Sequence, residues 1–281
     1  MNRTFEINRP DNFDIEQIFD CGQCFRFSAF SKENSIIYDG VAFDRYIKIE
    51  QTKDKVIFHN TDETEFLSVW KNFLDLDTNY SNIIKSFSDD NTLYQAAEFS
   101  SGVRILKQDK WEALCSFIIS QNNNIPRIKG IIENMSAKFG NEIYRDSDKV
   151  YYSFPTAKAL YEAGEDEIFA LKTGFRAKYI FDAARRVCEN PFFLTEVSGL
   201  DTGNASEKLQ LIKGVGKKVA ACTLLFGFER YDSFPVDVWV KRILETYYPQ
   251  EKSHHFEGKY AGVAQQYLFY YERCKNNVFL S

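Results

Sequence analysis

The sequence predicts an α+β fold, with an N-terminal antiparallel β-sheet domain over residues 1–105 and an all-helical domain over residues 106–281. Three observations lead there. The chain has 281 residues, 44% hydrophobic and 16% aromatic, which is core material for one or two compact domains and excludes disorder as the main description. The first hundred residues hold short β-rich segments bounded by Asn, Asp and Gly. From about residue 105 the apolar spacing becomes helical.

In chain order, Ser35–Tyr38, Tyr46–Ile49 and Lys55–Phe58 read as strands, with helical pieces near residues 14–19 and 63–75. Trp111, Leu114, Cys115 and Ile118 then recur at i, i+3, i+4, i+7, as do Ile128, Ile131, Ile132 and Met135. Tyr179, Ile180, Ala183, Ala184 and Val187 form another such stripe. Asn124 suits an N-cap, with Pro126 in the first turn where its missing N–H matters little. No internal repeat or low-complexity tract interrupts the chain.

Several function classes drop out at this level. No apolar run approaches the ~20 residues of a membrane-spanning helix, and the first residues lack a signal-peptide core, so a cytoplasmic protein with no membrane partner is expected. The six cysteines fit reduced thiols in a chain of this length. Cys21 and Cys24 make one C-x-x-C without a second pair, and His59, His254 and His255 form no ligand pattern, so neither metal nor cofactor is expected.

The net charge of −5 argues against a nucleic-acid partner only until it is divided. Residues 1–100 carry 10 Lys+Arg and 18 Asp+Glu, net −8; the remaining 181 carry 25 and 22, net +3. Lys208, Lys213, Lys217 and Lys218 cluster in that second part, as a phosphate-binding patch or equally as a solvated helix face.

The most informative segment is Leu209–Cys222, where a short helix ends at Gly214-Val215-Gly216 and another begins at once. Two glycines one residue apart permit a tight turn with positive φ and close approach of a partner, and the N–H groups opening the second helix can hold an anion. A plain structural turn has the same pattern. Lys218 falls in the first turn of the second helix, and Asp237 follows 19 residues later in Phe234-Pro235-Val236-Asp237-Val238-Trp239. Read alone, Lys218 is a surface cation and Asp237 a helix cap.

Together these residues resemble the helix-hairpin-helix, Gly/Pro-Asp superfamily of DNA glycosylases, in which a lysine at the place of Lys218 marks members that also nick the strand. Ser120–Ile128, with its Asn122-Asn123-Asn124-Ile125-Pro126-Arg127 core, is similar to a motif of the 8-oxoguanine DNA glycosylases. Cys21–Phe27, Gly174–Tyr179 and Ala264–Phe269 are similar to three further elements of that family. The resemblance runs from about residue 13 to residue 269 and implies a TBP-like N-terminal sheet, a helix-hairpin-helix motif, and a monomer acting on duplex DNA that carries 8-oxoguanine, preferably opposite cytosine. In a bacterium such a protein would be nucleoid-associated.

The resemblance also implies roles. Lys218 is the nucleophile and Asp237 stabilises the developing sugar cation. The backbone carbonyl of Gly22 accepts from N7–H, which 8-oxoguanine has and guanine lacks. Phe269 stacks on the flipped base, Gln265 reads its Watson–Crick edge, and Cys222 supports the other face. Asn122 fills the vacated stack, Phe175 wedges the neighbouring base, and Arg127 and Arg176 meet the orphaned cytosine. Gly214, Gly216 and Lys217 hold phosphate. Phe175 replaces the family's usual Tyr, and Trp239 stands where the eukaryotic enzymes carry His, which alters that phosphate contact. Two other readings stay open: a glycosylase for alkylated bases, which would lack the lysine, and a non-catalytic DNA-binding hairpin, which would need neither Asp237 nor the Gln265–Phe269 pair.

Overall fold

A computed structural model describes residues 3–32, 35–147, 149–249, 256 and 258–275; His254 and His255 lie outside them. The chain opens with β1 (Thr4–Asn8), α1 (Ile15–Asp20), β2 (Phe27–Lys32), β3 (Ser35–Ala42), β4 (Arg45–Gln51) and β5 (Lys55–His59). These strands form one antiparallel sheet in the order β1-β5-β4-β3-β2. Its buried face follows the two-residue period: Ile47 and Ile49 on β4 point inward beside Val56 and Phe58 on β5, with Ile49 paired to Phe58. Between β3 and β4 the turn residues Phe43 and Asp44 have φ 51° and 57°, the left-handed pair a tight hairpin demands. Phe43 is held in this unfavoured conformation by edge-on packing on Phe73.

A helical run covers the sheet: α2 (Glu63–Glu65), a π turn (Phe66–Trp70) and α3 (Lys71–Phe73). Phe66, Trp70 and Phe73 join Ile15, Ile18 and Phe19 of α1 in the core beneath the strands.

The helices that follow are α4 (Tyr80–Lys85), α5 (Asn91–Phe99), α6 (Lys110–Ile119) and α7 (Ile125–Phe139). A small hairpin of β6 (Glu142–Arg145) and β7 (Val150–Tyr152) precedes α8 (Ala157–Ile168). A π turn (Phe169–Thr173) and a 3-10 turn (Gly174–Arg176) lead into α9 (Ala177–Glu189). The chain continues through α10 (Phe193–Ser198), α11 (Thr202–Leu209), α12 (Lys217–Gly227), α13 (Val238–Tyr247) and α14 (Ala261–Lys275). The stripes at 111–118, 128–135 and 179–187 fall on α6, α7 and α9, and Asn124 caps α7 by accepting from the Arg127 N–H at 3.0 Å. Within the described residues no helix is long and apolar enough to cross a membrane.

Reading the first hundred residues as mainly strands overlooked α4 and α5. Their side chains leave the sheet: Tyr80, Ile83, Ile84 and Ala97 are buried among the later helices, and Leu93 and Ala96 pack on α13 and α14. Residues 80–99 thus precede the division expected at residue 105 yet contribute to the helical core. Buried polar contacts fix the segment at residues 104–106, where the sheet part gives way to the helices. Gln23, fully buried, donates to the carbonyls of Ile18 and Arg104 and accepts from the Leu106 N–H at 2.8 Å. Arg104 donates to the carbonyls of Asp11, Asn12 and Asp75. Buried polar groups of this kind are stable only when paired.

Candidate active site

The α11–α12 hairpin is built by glycine and by α9. Gly214 has φ 78°, and a Cβ there would sit 2.4 Å from the Tyr179 ring, so both conformation and space require glycine. Asp182, also on α9, accepts from the Lys213 N–H at 2.8 Å. Gly216 is different: its φ of −98° suits any residue, and a Cβ there would meet nothing within 4 Å. The positive φ of the turn thus comes from Gly214 alone. Gly216 gives α12 no side-chain cap, and the first turn carries Lys217 and Lys218 where acidic residues are usual. An uncapped N-terminus beside cations is suited to an anion.

The basic cluster seen in the sequence does not act as one patch. Lys208 pairs with Glu196 at 2.8 Å, Lys213 and Lys217 are exposed, and Lys218 turns inward. The Lys218 ammonium lies 3.3 Å from Ser120 Oγ at the end of α6 and 5.7 Å from the Phe117 ring centre. Cys222, four residues on, shares that face; burial raises its thiol above the usual value, Lys218 opposing the rise and Asp237 adding to it.

Asp237 does cap a helix: its Oδ1 accepts from the Val240 N–H at 2.8 Å at the start of α13. The same cap sets the carboxylate in the wall of a cleft of about 340 Å³, together with Lys218, Phe117, Ser120, Gly22, Phe269, Arg273 and Trp239. A recess of about 50 Å³ shares Lys218, Asp237, Phe117, Gly22 and Phe269 with it and adds Cys222 and Gln265. Trp239 is backed by the Arg242 guanidinium, 5.3 Å from its ring.

Gln265 and Phe269 stand one turn apart on α14, as do Phe269 and Arg273. The Gln265 Oε1 is buried and finds no hydrogen-bond partner among the described residues, an arrangement that favours an incoming donor. Opposite, Gly22 has φ 78°; a Cβ there would lie 3.6 Å from Phe269 and 3.4 Å from Arg273. The carbonyls on either side of Gly22 are claimed by side-chain amides, Cys21 O by Gln266 at 2.7 Å and Gln23 O by Gln108 at 2.7 Å. Burial pushes the Cys21 thiol up to about 12 and the Cys24 thiol up to about 11, so both are neutral packing groups, and all six cysteines are unpaired by disulfide. Among the described residues no group of three or more His, Cys, Asp or Glu is placed to hold a metal.

The remaining predicted residues form a second region, beside the cleft and not inside it. Asn122 is exposed at φ 47°, and Phe175 is 47% exposed. Arg127 is exposed on α7 and donates to the Lys172 carbonyl at 3.3 Å. Arg176 is 2% exposed, with its guanidinium bonded to the carbonyls of Gln121, Asn122 and Thr173. Four residues of the site escaped sequence reasoning. Arg273 had a usable signal, the i+4 spacing from Phe269, and Ser120 heads the quoted asparagine motif. Phe117 and Gln266 are indistinguishable in sequence from core and surface residues.

Known proteins resemble this chain over nearly its whole length. Residues 6–114 match the N-terminal domain of 8-oxoguanine DNA glycosylase, and residues 115–258 match the HhH-GPD superfamily of base excision DNA repair proteins. The structure of MBOgg1 in complex with a low-affinity DNA ligand superposes with TM-score 0.91 at 39% identity, over 98% of this chain and 97% of that one. The Clostridium acetobutylicum 8-oxoguanine glycosylase/lyase, in complex with double-stranded DNA containing cytosine opposite 8-oxoguanine, superposes with TM-score 0.90 at 38% identity over 98% of both chains. The N-glycosylase/DNA lyase of Saccharomyces cerevisiae is 37% identical over 158 residues, 52% of this chain but only 42% of the yeast protein. The chain belongs to the 8-oxoguanine DNA glycosylase family within the HhH-GPD base excision repair superfamily.

Proposed function

We propose that this protein removes 8-oxoguanine from duplex DNA by base flipping and then nicks the strand, with Lys218 as nucleophile. The observation that carries the proposal is the single cleft lined by Lys218, Asp237, Gly22 and Phe269, with Cys222 and Gln265 in its recess. A base inside a duplex cannot reach such a site until it is extruded, which takes a few kcal/mol of unstacking. The α12 N-terminus and Lys217 hold phosphate beside the lesion and set register without reading sequence. Asn122 fills the gap, Phe175 wedges the neighbouring base, and Arg127 meets the cytosine left behind.

The extruded base stacks on Phe269, with Cys222 on its other face and Gln265 on its Watson–Crick edge. The Gly22 carbonyl accepts from N7–H; guanine presents a lone pair there and is rejected. The half-buried Lys218 amine attacks C1′ as the base leaves, and the Asp237 carboxylate stabilises positive charge developing on the sugar. The resulting imine undergoes β-elimination on the 3′ side. The protein works as a monomer, and no metal or cofactor enters these steps.

Borohydride trapping on a duplex containing 8-oxoguanine opposite cytosine tests the reading. A covalent adduct is expected, and Lys218→Gln should abolish it while lesion binding persists. An adduct lost in Lys217→Gln but kept in Lys218→Gln would assign the chemistry to the wrong amine.

A further inference from the structure

Gln265, Phe269 and Arg273 follow one another at one-turn intervals on α14, yet they border different spaces. Gln265 lines the recess with Cys222, Arg273 lines the outer cleft, and Phe269 lines both. The phenyl ring is therefore a partition, with the base site on one side and a guanidinium on the other. Arg273 Cζ lies 5.3 Å from the ring centre. A Cβ on Gly22 would meet Arg273 Nη1 at 3.4 Å, Phe269 at 3.6 Å and Ile125 at 3.8 Å, so the guanidinium fills the corner between the ring and the Gly22 turn.

A guanidinium stays protonated in proteins, and Arg273 is 7% exposed, so a full positive charge is held where water barely reaches it. Burial lowers its pKa, while Cys21, Cys274 and Asp20 oppose that fall. The negative face of an aromatic ring attracts such a charge, and does so more strongly when the charge is desolvated. A phenyl ring has no polar group to anchor it, so what packs on its faces sets its orientation. An apolar side chain would fill the corner equally well; the cation adds an attraction that holds only while the ring turns its face toward it.

We propose that Arg273 is a positioning residue for base excision: it braces the outer face of Phe269 against the Gly22 turn and so sets the slot in which the extruded base stacks. The inference rests on the reading of Phe269 and Gly22 as base contacts. Arg273 then acts through the base alone. Lysine chemistry on a sugar that has already lost its base has nothing to stack, and does not depend on the brace.

The test compares two single-turnover rates on one duplex sequence: base release from 8-oxoguanine opposite cytosine, and strand nicking at a preformed abasic site. Arg273→Met keeps a long side chain and removes the charge. It should lower the ratio of release to nicking about 5- to 30-fold, the scale of a desolvated cation–π contact. Because the brace works through the ring, Arg273→Met in a Phe269→Ala background should change that ratio by less than about 2-fold. A ratio that Arg273→Met leaves as in the wild type, whether both rates fall together or neither does, would overturn the proposal. Losses that multiply in the double variant would overturn it too. Should Arg273→Met fail to fold, Arg273→Lys takes its place in both backgrounds and the same outcomes decide. A wild type that nicks abasic sites but leaves 8-oxoguanine in place would instead overturn the parent reading of the cleft.

Discussion

The cleft and the loops that carry Asn122 and Phe175 solve the same problem, holding side chains still, by different means. In the cleft, regular helices do it: Lys218 and Cys222 are one turn apart on α12, Gln265 and Phe269 one turn apart on α14, and Asp237 caps α13. In the loops, the backbone is left-handed and arginine–carbonyl bonds do it. Helical placement is local and tolerates change nearby. Loop placement depends on partners distant in sequence, so single substitutions there should disturb several residues together.

The largest effect should come from the cleft. Asp237→Asn keeps the cap to Val240 but removes the charge proposed to face the sugar. If the helical frame carries geometry and the carboxylate carries chemistry, the single-turnover rate should fall by roughly 10²–10³-fold, the usual scale for one electrostatic group acting on a transition state. Lesion binding and melting temperature should stay near those of the wild type. A near-normal rate in the folded variant would leave Asp237 as a cap only.

Next comes the hairpin, where two glycines separate local conformation from outward space. Gly214→Ala must place a methyl 2.4 Å from the Tyr179 ring at φ 78°, with a penalty of about 2–4 kcal/mol from overpacking and left-handed backbone. Thermal melting should fall accordingly. Gly216→Ala meets nothing in the free protein and should leave melting unchanged or slightly raised, while weakening DNA affinity if phosphate approaches that Cα. Equal destabilisation by both would show that the hairpin needs the second glycine for its own fold.

The same contrast explains what the sequence revealed. The sheet strands at 35–59, the stripes of α6, α7 and α9, and the Asn124 cap follow from periodicity and capping alone. The i, i+4 pairs of the cleft were likewise legible, because helix geometry converts spacing into a shared face. The carbonyl partners of Arg176 and the Gln266 clamp on Cys21 were not, since main-chain acceptors leave no trace in residue identity. Helices α4 and α5 were missed because each is short, and α5 buries its apolar residues against α14, more than a hundred residues away.

The smallest expected effect lies where the N-terminal part meets α6, behind the Gly22 side of the cleft. Glu112, in the first turn of α6, faces Arg26 at 3.6 Å, and Arg26 belongs to the same stretch as Gly22. Burial, helped by the carboxylates of Asp109 and Asp44 and opposed by Arg26, raises the Glu112 carboxyl from 4.5 to about 7. A raised carboxyl binds its proton more tightly in the folded than in the unfolded chain. Between pH 4.5 and about 7 the folded state thus holds a proton that the unfolded state has given up, and stability declines as pH rises through that window. Glu112→Gln cannot titrate, so it should remove this share of the decline. Comparing urea unfolding of wild type and variant at pH 5 and pH 8 should show their stability difference moving against the wild type at the higher pH, on the order of 1–2 kcal/mol. Movement in the wild type's favour would mean that the attraction to Arg26 outweighs burial, and that the ionised pair itself ties α6 to the Gly22 loop.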